Sequence, residues 1–272
     1  MLFEQIAHNK RKTTLIMVLF VVILTLVGAG LGYIFTDNPW IGIAIAFIAS
    51  LIYMFIVLRN PANMIMNMNH GKEIHEKDNP ELWHIVQDMA MVARVPMPRV
   101  FIIPDKRPNA FATGRDPKHS AVAVTQGLLD MMNREELEGV LGHEISHIRN
   151  YDILLSTVAV VLVGVISFIS GYASRYIWWF GGDHHSRDDN KDDNNPVIMI
   201  IKIVAIVFVL ILGPISASLV QMALSRNREY LADASSVDLT RDPQGLISAL
   251  KKIDNSQPMK KADPSSAGMY IS

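Results

Sequence analysis

Residues 133–152 read NREELEGVLGHEISHIRNYD, and the reading of this stretch decides the fold. It predicts a helix with a clean start. Asn133 is a good N-cap, and Glu136 stands at the third helical position, a capping-box pattern. Leu137, Val140, Leu141 and Ile148 supply an apolar stripe, and no proline interrupts the run through His147. On such a helix His143 and His147 are four apart, so both imidazoles project from one face, where two ring nitrogens can grip one Zn²⁺. Glu144 is placed to act as a base on water without ligating the metal. The plainer alternative is a pair of histidines on an ordinary helix. The motif is short, so its surroundings must decide.

A third ligand has to come from elsewhere. In the fragment Ser225–Asp233, Glu229 and Asp233 are four apart and share a helix face. Sites of this kind commonly take a carboxylate as third ligand, with a second carboxylate orienting a ligating histidine through its other ring nitrogen. The alternative is that both acids pair with Arg226 and Arg228 on a solvated face.

Half of the 272 residues are hydrophobic, and they fall in blocks. Leu15–Phe35, Trp40–Leu58 and Ile153–Ser174 carry no charge, and Val197–Leu224 carries only Lys202. Each run is long enough to cross a hydrocarbon layer. Four of them in so short a chain point to membrane spans rather than to the helices of a large soluble core. The net charge of −1 gives no global field for nucleic acid, and the absence of cysteine excludes a disulfide framework, a thiolate ligand and a thiol nucleophile. The first run leads directly into the second, as one half of an anchored hairpin rather than a signal peptide.

Basic residues set the orientation. Lys10, Arg11 and Lys12 place residues 1–14 in the cytoplasm. A hairpin over 15–58 turns outside at Thr36–Pro39. Residues 59–152 return to the cytoplasm with eleven Lys or Arg. A second hairpin over 153–224 carries an external loop, 181–196, with five Asp against Arg187 and Lys191. Residues 225–272 are cytoplasmic again, with seven basic residues. The third and fourth spans run antiparallel, so His147, just before one, and Glu229, just after the other, arrive at the same membrane face. If the helices continue, both stand about 8–9 Å beyond the apolar boundary. That coincidence makes Glu229 the preferred third ligand.

Between the second and third spans, residues 80–95 predict a helix with Leu82, Ile85, Val86, Met89 and Val92 on one side, and Arg99–Pro104 and Ala121–Thr125 predict short strands. The segment Asn109-Ala110-Phe111-Ala112-Thr113-Gly114 lies between these strands. Its backbone could receive an extended peptide by strand addition, or it could be a routine edge strand.

Three elements together, Asn109–Gly114, His143–Asp152 and Ser225–Asp233, with the four spans at these positions, resemble the HtpX-type membrane metalloproteases, relatives of the CAAX prenyl proteases. The resemblance covers nearly the whole chain. It implies an α+β architecture: a zincin-like (gluzincin) cytoplasmic domain against four transmembrane helices in two hairpins. It implies one Zn²⁺ per chain, with His143, His147 and Glu229 as ligands, Glu144 as base and Asp233 as the carboxylate behind a ligating histidine. Asn109, Ala110, Phe111 and Ala112 would form the substrate-binding edge. The implied activity is zinc-dependent cleavage of misfolded or damaged membrane proteins, or of unfolded polypeptides, on the cytoplasmic side of the bacterial plasma membrane during stress. The lipid bilayer is the other expected partner, nucleic acid is not one, and the oligomeric state is left open. Family members usually carry a His-Pro-Pro segment near the carboxyl terminus that this sequence lacks, which leaves the group stabilising the oxyanion unassigned.

Other classes compete. A zinc-stabilised membrane adaptor that binds clients without cutting them has no need of Glu144. A small transporter is disfavoured by the scarcity of ionisable residues in the spans. The external acidic loop with His184 and His185 lacks fixed ligand spacing and reads as solvated chain. Gly28 and Gly32 suit helix packing or dimerisation. Trp178 and Trp179 suit an interface, Lys202 can snorkel, and Met64, Met66 and Met68 suit packing.

Overall fold

The computed structural model describes residues 2–164 and 226–255. The rest of the third predicted span, the external loop and the fourth span lie outside the described residues, as do Trp178, Trp179, Lys202 and residues 256–272. Two long helices open the chain, α1 (Leu2–Thr36) and α2 (Pro39–Arg59). Asp37 takes a positive φ of 51° and the Asn38 side chain accepts from Trp40 N, so the turn expected at 36–39 ends one helix and caps the next. The helices touch through glycine: a Cβ on Gly42 would lie 1.9 Å from Gly28 O and 2.8 Å from Gly32 Cα. Gly28 and Gly32 thus serve packing within the hairpin. Large apolar side chains such as Leu26, Ile45 and Phe55 face outward, and only 22% of each helix's most apolar window is buried. A core helix of a soluble protein would be covered, so this surface belongs against lipid.

A four-stranded sheet follows, with order β1-β2-β4-β3 from β1 (Lys72–Ile74), β2 (Arg99–Ile103), β3 (Ala110–Gly114) and β4 (Ser120–Thr125). β2 and β4 are parallel, and the two outer pairs are antiparallel. Side chains alternate between faces. Val100, Ala110, Ala112, Val122 and Val124 join one core, against α4 (Pro80–Ala93) and α6 (Arg134–Arg149). Phe101, Ile103, Phe111, Ala121 and Ala123 join another, against α3 (Pro61–Met68) and α7, whose described part is Ile153–Gly164. Between β4 and α6 lies the short α5 (Gln126–Met131). After the undescribed stretch come α8 (Arg226–Thr240) and α9 (Pro243–Asp254).

Most elements stand where expected, with informative differences. On α4 the buried stripe is Leu82, Ile85, Val86, Met89 and Ala93, while Val92 is 52% exposed. Ala93 completes three turns from Leu82, and Val92 lies one position off that line. Met66 is buried on α3 and Met68 is exposed, so the alternating methionines belong to a short helix. The third apolar run differs from the first two in what covers it. Ile153, Leu155, Val158 and Leu162 are buried by protein, α7 packing on α1 and α2 on one side and on the sheet through Val160 and Val161 on the other. The described part of α7 is therefore covered by protein on both sides. Nor does α6 continue into α7, because Tyr151 takes a left-handed φ of 59° between them. The helix continuity from which the height of about 8–9 Å for His147 was expected is therefore absent, and the stretch before α8, which carries Glu229, lies outside the described residues.

Candidate metal centre

The site is built on α6. Asn133 accepts from Glu136 N, and the Glu136 carboxylate accepts from Asn133 N, the reciprocal cap expected from sequence. Glu136 also does more. It is buried, and it receives Lys252 Nζ at 2.6 Å and Ser248 Oγ at 2.6 Å, tying α9 to the start of α6. Midway along α6, Gly139 and Gly142 let two helices approach. A Cβ on Gly139 would sit 2.6 Å from Leu246 N, and one on Gly142 would sit 3.0 Å from Ser236 Oγ. Ser236 donates to Gly139 O at 2.8 Å. Glu229, Asp233 and Ser236 recur at helical spacing, so docking α8 through Ser236 turns both carboxylates toward the histidines.

The result is a tight triangle. His143 Nε2 lies 3.2 Å from His147 Nε2 and 3.4 Å from Glu229 Oε2, and His147 Nε2 lies 3.7 Å from that same oxygen. Donors about 2.0–2.2 Å from a tetrahedral Zn²⁺ would be about 3.3–3.6 Å apart, so the three atoms fit such an ion, and two imidazoles with a carboxylate are a donor set that suits zinc. Among the described residues these three form the group of metal-ligating side chains dense enough to hold an ion. His143 and His147 are largely buried, whereas the Glu229 side chain is 46% exposed, so the cluster opens to solvent on the α8 side.

Each ring has a carboxylate behind it. His143 Nδ1 is 2.9 Å from Asp233 Oδ1, an ion-pair distance at which the N–H direction is poorly aligned for a hydrogen bond. His147 Nδ1 is 3.4 Å from Asp152 Oδ2. Nothing in the sequence alone sets Asp152 beside His147. α6 ends in a Schellman turn: Tyr151 N donates to Ile148 O, Asp152 N donates to His147 O, and Tyr151 occupies the left-handed position usually taken by glycine. That turn folds Asp152 back under His147. Arg228, half-buried on α8, lies within the fields of Asp152 and Glu229.

The electrostatics favour positive charge at the centre. Burial works against a charged His143, but Asp233 and then Glu229 outweigh it and push the ring up to about 9. His147 is likewise opposed by burial and carried up to about 10 by Asp152 and Glu229. Burial alone would raise Glu229, yet the two imidazoles hold it far below the usual carboxylate range. Glu144 behaves differently. It is buried, burial raises its pKa, and its Oε2 accepts from Ala112 N at 2.8 Å.

That last bond brings the Asn109–Ala112 segment to the centre. β3 is an edge strand, and by antiparallel alternation Ala110, Ala112 and Gly114 turn their backbone groups away from β4. The edge is less open than a bare template. Ala112 N is bonded to Glu144 and Gly114 N to Thr157 Oγ1, and all five strand residues are buried. Asn109 is bonded through its backbone to Thr125, and Phe111 points into the opposite core.

Among the described residues the fold is mostly helical with a small mixed sheet, and an ion-sized triangle on two helices stands beside a buried glutamate, an arrangement that suits a metallopeptidase. Residues 76–267 match the model of peptidase family M48. The whole chain is 78% identical to a "Protease HtpX homolog" of Lactobacillus helveticus and 77% identical to one of Lactobacillus acidophilus, covering 90% of each. It is 57% identical to one of Ligilactobacillus salivarius, again over 90% of its length. Among solved structures, "Crystal Structure of S. mikatae Ste24p" is similar at 20% identity and a TM-score of 0.47, over 92% of this chain and 57% of that one. The chain belongs to peptidase family M48, in its HtpX branch. It is a membrane metallopeptidase, a hydrolase whose substrates are polypeptides.

Proposed function

We propose that this protein is a zinc endopeptidase that cuts misfolded or damaged membrane proteins on the cytoplasmic side of the bacterial plasma membrane. In this reading His143, His147 and Glu229 hold one Zn²⁺, Glu144 is the base, Asp233 and Asp152 orient the two histidines, and Asn109–Ala112 receive the substrate. Four spans form two hairpins, 15–58 and 153–224, with the external loop at 181–196. Residues 1–14, 59–152 and 225–272 are cytoplasmic, the latter two segments making up the peptidase domain. The observation that carries the chemistry is the triangle of 3.2, 3.4 and 3.7 Å beside a buried Glu144.

Bound Zn²⁺ would supply Lewis acidity to water and to the scissile carbonyl near neutral pH. The chain's own residues do the rest. Burial raises the Glu144 pKa, and its carboxylate would accept a proton from the attacking water and return it to the leaving amine. The Ala112 N–H fixes that carboxylate against the substrate edge. An extended peptide beside β3 would pair with the outward carbonyls of Ala110 and Ala112. The buried, tethered Glu144 also counts against a non-cleaving adaptor, which would bury a carboxylate at a cost and gain nothing from it.

Single-turnover cleavage of an unfolded membrane protein by the full chain in lipid nanodiscs tests this reading. The wild type should cut, and a zinc chelator should stop it. Glu144→Gln should keep its zinc and lose at least about a hundredfold in rate. Wild-type cleavage by that variant would overturn the assignment.

A further inference from the structure

The peptidase family match starts at residue 76, yet a side chain far upstream reaches the metal centre. Asn9 lies on α1, ahead of the apolar run that begins at Leu15, and is only 6% exposed. Its Nδ2 donates to Asp152 Oδ1, and the other oxygen of that carboxylate faces His147 Nδ1. Asp152 is itself 3% exposed. The neighbouring Lys10 places its Nζ 5.7 Å from the centre of the Tyr151 ring. Further along, Ile16 and Phe20 of α1 pack on Leu155, Val158 and Leu162 of α7. The start of α1 is therefore registered against the turn that carries Asp152.

We propose that Asn9 is a positioning residue for the metal centre: it holds the Asp152 carboxylate, and through it His147, so that the first membrane helix completes a site assembled by the peptidase segment. This rests on the reading of His147 as a ligand. The physical reason is the two-oxygen geometry of a buried carboxylate. With Oδ1 committed to the Asn9 amide, the rotamer is fixed and Oδ2 is aimed at Nδ1. A carboxylate at Nδ1 favours the tautomer that keeps its proton there, which leaves Nε2 with a free lone pair on the side of His143 and Glu229. Without the amide, Oδ1 is a buried acceptor in need of a donor, and the carboxylate can turn from the ring to find one.

Zinc affinity of the full chain in detergent micelles, read by competition with a chromogenic chelator, is the test. Outer partners of ligating histidines are worth about 10–100-fold in metal affinity, so Asp152→Asn should fall in that range and Asn9→Leu near its lower end, about tenfold. In the Asp152→Asn background, Asn9→Leu should add less than about twofold, because both act through one path. Arg11→Ala, an exposed position on the same turn of α1, should leave affinity unchanged. Asn9→Ser, whose hydroxyl falls short of Asp152, replaces the leucine variant if that one does not fold. Unchanged affinity in the Asn9 variant, an additive loss in the double variant, or an equal loss in Arg11→Ala would each overturn the proposal. His147→Ala separates the two levels. If it binds zinc as the wild type does, the ligand reading fails. If it loses zinc while the Asn9 variant does not, only the role of Asn9 fails.

Discussion

At His143 a carboxylate stands on each side of the ring, Glu229 at Nε2 and Asp233 at Nδ1. Only the first lies close enough to His147 Nε2 to share an ion with it, so in the proposed reading the two acids of α8 have separate duties. Asp233→Asn keeps the volume and removes the charge behind the ring. It should weaken zinc binding by about 10–100-fold, measured by chelator competition, with α8 still docked through Ser236. An unchanged affinity would show that the 2.9 Å contact is incidental. The placing of His143, Glu144 and His147 together was legible from spacing alone, since three residues so close on one helix need no tertiary knowledge. Glu229 needed the membrane topology to single it out. Asp152 was not legible, because it reaches His147 through a left-handed turn at a tyrosine, where no glycine advertises the reversal. Asn9 was less so, being 143 residues from the carboxylate it binds.

Among the elements, α6 is held at its start by charge and along its middle by glycine. The capping box was visible in the order of Asn133 and Glu136. That Glu136 also anchors α9 was not, since Ser248 and Lys252 are over a hundred residues away. Burial tends to raise the Glu136 pKa, but Lys252, Ser248 and the Asn133 N–H outweigh it and hold the carboxyl below its usual value. A group depressed in the folded state stabilises the fold above its unfolded pKa, about 4.3, and that contribution is lost as pH falls through the folded value. Thermal unfolding between neutral pH and pH 3 should therefore show a fall in stability below about pH 4 that is shallower in Glu136→Gln. Equal slopes in the two proteins would remove Glu136 from the account. The strands β2 and β4 were legible from their Val and Ile content. β1, of three residues, offered too short a pattern to read.

For the whole molecule, hydropathy marked where apolar surface lies and not what covers it. α1 and α2 present Leu26, Ile45 and Phe55 outward, whereas the first turns of α7 are enclosed by the sheet and the hairpin. Both kinds of helix have the same composition, so only packing tells them apart. The proposed topology can be checked with the chain's own lack of cysteine, which makes any introduced thiol a unique reporter. Asp37→Cys should react with a membrane-impermeant maleimide on intact spheroplasts, and Asn255→Cys only after lysis. The reverse pattern would invert the protein and put its site outside the cell. In the proposed reading, α6 and α8 meet to hold one ion. Anomalous diffraction at the zinc edge, from crystals of the full chain grown with zinc, tests it most directly. A single peak is expected about 2.0–2.2 Å from His143 Nε2, His147 Nε2 and a Glu229 oxygen. A peak held by other side chains, or the Glu229 carboxylate turned away from both rings with zinc present, would contradict it.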